Sequence, residues 1–304
     1  MVGNWRHLLS DSWTNSVVDM NFREGVLEFL TSVKLLDVYS FDQSKYLESI
    51  SETSWLRLEQ DAKYFWIFRN LDYKKWVQSG GEAKILGLRG PSGGGLESVA
   101  SHIVQSLQNP DAAGQEGEVL YFFYNSTRHG QGRHHIVGWP DLVCVWTLLR
   151  QLIENRSGDT EQLLQTFLRC ALDFLPGDEV SKLRIYSDPT ETLRSLLSLS
   201  KSQDLWDALG KVLGDSKDPE NPREQDLTLV IDLGSVDSAW GELVDNIRGM
   251  TAGLPRGYGT VRILLSNLPE TRNLWQHRPF EILLEYDKER KGMYNPQTQP
   301  CLRH

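Results

Sequence analysis

Cysteine is scarce in this chain of 304 residues, and the three that occur, Cys144, Cys170 and Cys301, stand far apart and odd in number. They form neither a disulfide framework nor a zinc-ligand spacing, which excludes a stapled secreted scaffold and points to a reducing compartment. Long apolar runs are missing too, and nothing approaches the ~18 residues that cross a bilayer. The opening MVGNWRHLLSDSW has no continuous apolar stretch and no small-residue cleavage site, so no secretory leader is read there. Asn125-Ser126-Thr127 and Asn155-Arg156-Ser157 are then chance matches to a glycosylation acceptor. The expectation is an intracellular protein, cytoplasmic or nuclear. Basic charge is short as well: 32 Lys and Arg against 41 Asp and Glu leave a net charge of -9. That balance disfavours autonomous binding to nucleic acid or to an anionic membrane.

What is present is enough to fold. A hydrophobic fraction of 39% argues against global disorder, and the length supports one large domain or a domain with a helical annex. We place a helical region that packs on the core at 1–80, an α/β domain at 81–294 and a tail at 295–304. Within the first region, 56–78 is amphipathic and rich in aromatics. Its Trp55, Phe65, Trp66, Phe68, Tyr73 and Trp76 are read as packing against the next domain, with an aromatic docking groove as the alternative.

Strand and helix patterns then alternate. Lys84–Gly87 reads as a short strand, and Val99, Ile103 and Leu107 mark one face of a helix over 96–107. Val119–Tyr124 has the continuous apolar character of a buried parallel strand. Helices are expected at 140–154, 159–174, about 189–213 and 238–248, and strands at Leu227–Asp232, Val261–Leu265 and Phe280–Tyr286. The predicted fold is a parallel sheet flanked by helices on both faces. Residues 125–138, with His129, His134 and His135 beside Arg128 and Arg133, read as a polar loop. Their spacing is not that of a metal site, and none is expected.

The most specific local signal is Gly90-Pro91-Ser92-Gly93-Gly94-Gly95-Leu96-Glu97. It has the glycine spacing of a phosphate loop, between a strand and a helix, as such a loop requires. It lacks the two chemical groups. Leu96 stands where a lysine would neutralise phosphate charge, and Glu97 where a hydroxyl would ligate magnesium. Gly90, Gly93, Gly94 and Gly95 could still offer backbone amides to an anion, with Arg89 as a nearby cation. Asp232 ends the strand LTLVID, where a phosphate-loop enzyme keeps the acid that holds magnesium through water. A turn-capping role for Asp232 is the alternative. The strand VRILL leads into Ser266 and Asn267, two polar groups at a strand end.

The order of these pieces resembles the NACHT-type nucleotide-binding domain of signal-transducing P-loop NTPases, its fungal branch especially. The resemblance runs over about 50–290. It is carried by Trp66-Ile67-Phe68 with Trp76, Ile85-Leu86-Gly87 before the glycines, Tyr121-Phe122-Phe123-Tyr124, and Leu148-Leu149-Arg150-Gln151-Leu152-Ile153. Val230–Val236 and Ile263–Pro269 match the family's acidic strand and its strand end. The departures are systematic. Leu96, Glu97, Ser235, Val236 and Asn267 replace the lysine, the hydroxyl, the distal acids and a strand-end arginine, and Asp232 alone survives.

The resemblance thus implies a P-loop NTPase-like fold and a pseudo-NTPase: a non-catalytic scaffold or adaptor for protein partners, with no cofactor. One alternative is an ATP- or GTP-binding switch with little hydrolysis, using Arg89, Gly90, Gly93, Gly94, Gly95 and Asp232. A second is an accessory subunit of a nucleic-acid-processing or chromatin complex. Taken as a full protein, the sequence leaves no room after the last strand for the winged helix, regulatory arm and repeat sensor that complete such switches.

Overall fold

Aliphatic runs bounded by glycine, asparagine and charged residues make the strands, and the apolar residues between them recur at helical spacing. The computed structural model describes residues 24–26, 45, 47–48, 66–78, 81–89, 96–108, 117–124, 140–156, 160–180, 182–186, 189–215, 226–232, 234, 240–254, 260–268, 282–287 and 292–294. In chain order the elements are α1 (Trp66–Arg69), α2 (Leu71–Gln78), β1 (Gly81–Arg89), α3 (Leu96–Gln108), β2 (Gly117–Phe123), α4 (Pro140–Asn155), α5 (Thr160–Phe174), α6 (Gly177–Val180), α7 (Pro189–Leu199), α8 (Ser202–Asp215), β3 (Asp226–Asp232), α9 (Trp240–Gly253), β4 (Thr260–Leu268), β5 (Ile282–Asp287) and β6 (Gly292–Tyr294).

The sheet order is β2-β3-β4-β1-β5-β6. All pairs are parallel except β5 with β6. Alternation sends the side chains of β1, β2, β3 and β4 to two separate cores. Ile85, Leu120, Phe122, Leu229, Ile231, Ile263 and Leu265 face the layer of α4, α5, α7, α8 and α9. Leu86, Leu88, Tyr121, Phe123, Val230 and Leu264 face α3, with Tyr73 and Trp76 of α2. This is a three-layer α/β arrangement with helices on both faces, as the sequence led us to expect.

The layering follows from direction. Going from β1 to β2 the chain runs one way along the sheet, over the α3 face. The steps β2 to β3 and β3 to β4 run the other way, over the opposite face. Crossovers of one hand require that swap. The reversal makes the carboxyl ends of β1, β4 and β3 a topological switch point, where open α/β sheets bind their ligands.

Polar contacts finish the edges and joints. β2 is an edge strand, and the outward N–H and C=O of Tyr121 are met by one side chain. Gln151 Oε1 accepts from Tyr121 N at 2.9 Å, and Gln151 Nε2 donates to Tyr121 O at 2.6 Å. Arg156 at the end of α4 pairs with Glu118 of β2 at 2.6 Å. Between α8 and α9, Asn246 Nδ2 donates to Ser202 Oγ at 2.8 Å. There Gly210 faces Met250 so closely that an added Cβ would lie 3.0 Å from its Cγ.

Several boundaries differ from expectation. The aromatic helix is interrupted at Asn70, whose Oδ1 accepts from the N–H of Asp72 at 2.8 Å and of Tyr73 at 3.0 Å, a cap that starts α2. The helical region at 189–213 is two helices, because Ser200 Oγ donates back to Leu196 O and closes α7 before Ser202 begins α8. β1 and β4 each extend beyond the aliphatic stretch, and α9 runs on to Gly253. β4 therefore includes Ser266 and Asn267, which the sequence placed beyond the strand. α6 and β6 were not foreseen.

The readings of Tyr73 and Trp76 as packing residues hold: both are buried, against β1 and α3. Trp55 and Phe65 lie outside the described residues. Cys144 and Cys170 are buried in helices, as their apolar surroundings led us to expect. Among the described residues no helix is long and apolar enough to cross a membrane.

Candidate functional site

The candidate site is built at the carboxyl ends of β3 and β4. Asp232 closes β3 on the α3 side of the sheet, in line with Thr228 and Val230, and Ser266 follows Arg262 and Leu264 to the same side. Alternation alone would send Asn267 to the opposite face, yet its amide reaches Asp232. A register shift explains this. β1 advances from Gly87 to Arg89 while β4 advances from Leu265 to Leu268, so β4 carries one extra residue across Ser266–Asn267. Asn267 absorbs it in the left-handed region, at φ 59°. Asparagine tolerates that conformation better than most residues, and such a bulge re-aims a side chain.

The result encloses the carboxylate. Asn267 Nδ2 sits astride both oxygens, 2.9 Å from Oδ1 and 2.7 Å from Oδ2. Ser266 Oγ donates to Oδ2. The backbone N–H of Gly234 donates to Oδ1 at 2.8 Å. Gly234 is itself left-handed, at φ 56°, so the turn after β3 suits glycine. Tyr124 N donates to the Asp232 carbonyl at 2.7 Å, which ties the end of β2 to the same point. Asp232 is 1% exposed. Burial pushes its carboxyl above the ordinary carboxylate range, and the donors from Ser266, Asn267 and Gly234 pull it partly back.

The other expected site residues lie around this cluster. Arg89 ends β1, half-buried, paired in register with Leu268 of β4 and Glu285 of β5. Gly90, Gly93, Gly94 and Gly95 lie outside the described residues. Leu96 begins α3 and is 1% exposed, in the same core as Leu86, Leu88 and Val99. Glu97 beside it is half-buried in the first helical turn. His129, His134 and His135 lie outside the described residues. Among the described residues no group of three or more His, Cys, Asp or Glu is placed to hold a metal ion.

Reading the sequence missed a second buried polar group, at the opposite ends of the strands. Arg262 of β4, whose side chain is 4% exposed, pairs with Asp226 at 2.8 Å. Tyr73 of α2 lies close enough to feel its charge. Burial raises the Tyr73 phenol well above its usual range, and Arg262 offsets part of this. A charged residue inside the strand TVRILL was the available signal, since a buried charge needs a partner. The Asn267 contact had a weaker one: an asparagine ending an aliphatic strand, level with a strand-ending aspartate.

Comparison with known protein families gives a match over part of the chain. Residues 63–204 match the family model described as Nephrocystin 3, N-terminal, a span of a little under half of the chain. It covers the glycine-rich segment and ends before Asp232. No curated protein and no solved structure matches the chain.

Proposed function

We propose that this chain is a non-catalytic scaffold or adaptor, built on a degenerate P-loop NTPase-like sheet of the NACHT type and used to bind other proteins. The observation that carries the reading is the burial of Leu96. Where a working phosphate loop presents a lysine to the β and γ phosphates, this chain inserts an aliphatic side chain into the core of the sheet. A lysine there would leave water without a partner, so the position serves packing. Asp232 supports the same reading, since its carboxylate is engaged by Ser266, Asn267 and Gly234. The strand order, with its switch point at β1, β4 and β3, supports the proposed descent from a nucleotide-binding sheet.

Tyr73 and Trp76 of α2 are buried in the core, which argues against that face as the proposed partner-binding surface. The test is a melting-temperature titration with ATP, ADP, GTP and GDP at millimolar concentration, with and without magnesium. A ligand that binds the folded state raises the melting temperature by linkage. No shift is expected with any of the four. A nucleotide-dependent rise that disappears in Asp232→Ala would replace the scaffold with the switch. Arg89, at the carboxyl end of β1 just before the glycines, is the observation that keeps the switch as a second reading.

A further inference from the structure

The resemblance puts a magnesium-holding acid at the end of β3, and the residues around Asp232 do not fit that ion. Magnesium takes octahedral oxygen ligands and keeps several waters, which an acid at this place would hold through its carboxylate. Here the groups directed at Asp232 are hydrogen-bond donors: the Asn267 amide N–H, the Ser266 hydroxyl and the Gly234 N–H. A donor amide carries positive charge on its hydrogens, so it takes the electrostatic place of a cation and repels one. Asp232 is 1% exposed, so in this arrangement its oxygens meet protein donors and not solvent.

We propose that Ser266 and Asn267 form an internal substitute for the divalent cation, a lock that ties β3 to β4 and closes the Asp232 position to metal. The β4 bulge is the device that makes it. One extra residue and a left-handed backbone turn the Asn267 amide through to the Asp232 side, onto both carboxylate oxygens. The lock rests on the scaffold reading and deepens it. A sheet whose switch point is fastened by its own side chains keeps a single arrangement, with or without nucleotide and metal.

The experiment converts the donor into an acceptor. Asn267→Asp keeps the shape of the side chain and sets two carboxylates face to face. The whole chain, nucleotide-free, is titrated with Mn2+, followed by electron paramagnetic resonance and by melting temperature. The parent is expected to bind no Mn2+ and to melt at the same temperature with and without it. Asn267→Asp is expected to melt lower in chelator, to bind Mn2+ and to regain melting temperature as it does. Adding Asp232→Asn should abolish that binding. If Asn267→Asp does not fold, Asn267→Gly, which suits the left-handed backbone, removes the amide and is read the same way. Mn2+ binding by the parent that is lost in Asp232→Asn overturns the lock, as does failure of both 267 variants to acquire Mn2+. Nucleotide binding in chelator by the parent would sink the scaffold reading and leave the lock standing, so the two failures are distinct.

Discussion

A left-handed backbone costs most residues about 1–2 kcal/mol and asparagine less, and at position 267, at φ 59°, the side chain offsets that cost through both oxygens of Asp232. The same carboxylate satisfies Ser266 and the Gly234 N–H, so one side chain supports two loop entries. Asp232→Ala strands these donors in a buried site and is expected to cost about 2–4 kcal/mol, read by denaturant unfolding. Asp232→Asn keeps the shape and part of the bonding, and its deficit should depend on pH. Burial raises the folded-state carboxyl above its unfolded value, so the folded protein holds that proton more readily. The stability tied to it is full below the unfolded value and is lost as pH rises through the folded one. The parent should therefore gain on Asp232→Asn as pH falls from neutral through the window just above the ordinary carboxylate range. Melting curves of both across that range check the sign; a gap that widens towards neutral pH in the parent's favour would contradict it.

Among the elements, the edge strand β2 shows how a helix can finish a sheet. Gln151 presents its amide to Tyr121 as a neighbouring peptide would, and so occupies an edge that would otherwise template another strand. Gln151→Leu should cost about 1–3 kcal/mol through the two unmet backbone groups. It should also raise the tendency to self-associate, visible as concentration-dependent light scattering. The strands themselves were legible, because Leu227–Asp232, Val119–Tyr124 and Val261–Leu265 are mainly aliphatic or aromatic runs, as a doubly covered strand requires. Their ends were not. The polar or small residues that begin β1 and close β4 pair as strand without contributing to the run. Gln151 was invisible for a related reason: within the helical period of α4 it reads as an ordinary half-exposed position. The Arg262–Asp226 pair joins residues far apart in the chain, and no local pattern announces which acid a buried arginine will find. Asp232 was legible as a position and illegible as an environment, since its partners arrive from a strand more than thirty residues later.

For the molecule as a whole, the strand order matters more than any one element. The span that matches the Nephrocystin 3 N-terminal family model, 63–204, contains β1 and β2 but not β3 or β4. In the sheet β3 and β4 lie between them, so the two strands of that span cannot pair with each other. A fragment of 63–204 should lack the cooperative melting transition of the whole chain, followed by circular dichroism; a sharp two-state melt from the fragment would refute the strand order. The order also sets a clock. On the ribosome β1 is complete at Arg89, while the strand that will sit beside it starts only at Thr260. At synthesis rates of roughly 5–20 residues per second the gap lasts on the order of ten to thirty seconds. During that interval Leu86 and Leu88 have been made and their neighbour has not, so the nascent chain must carry an unpaired apolar strand for far longer than a hairpin takes to close.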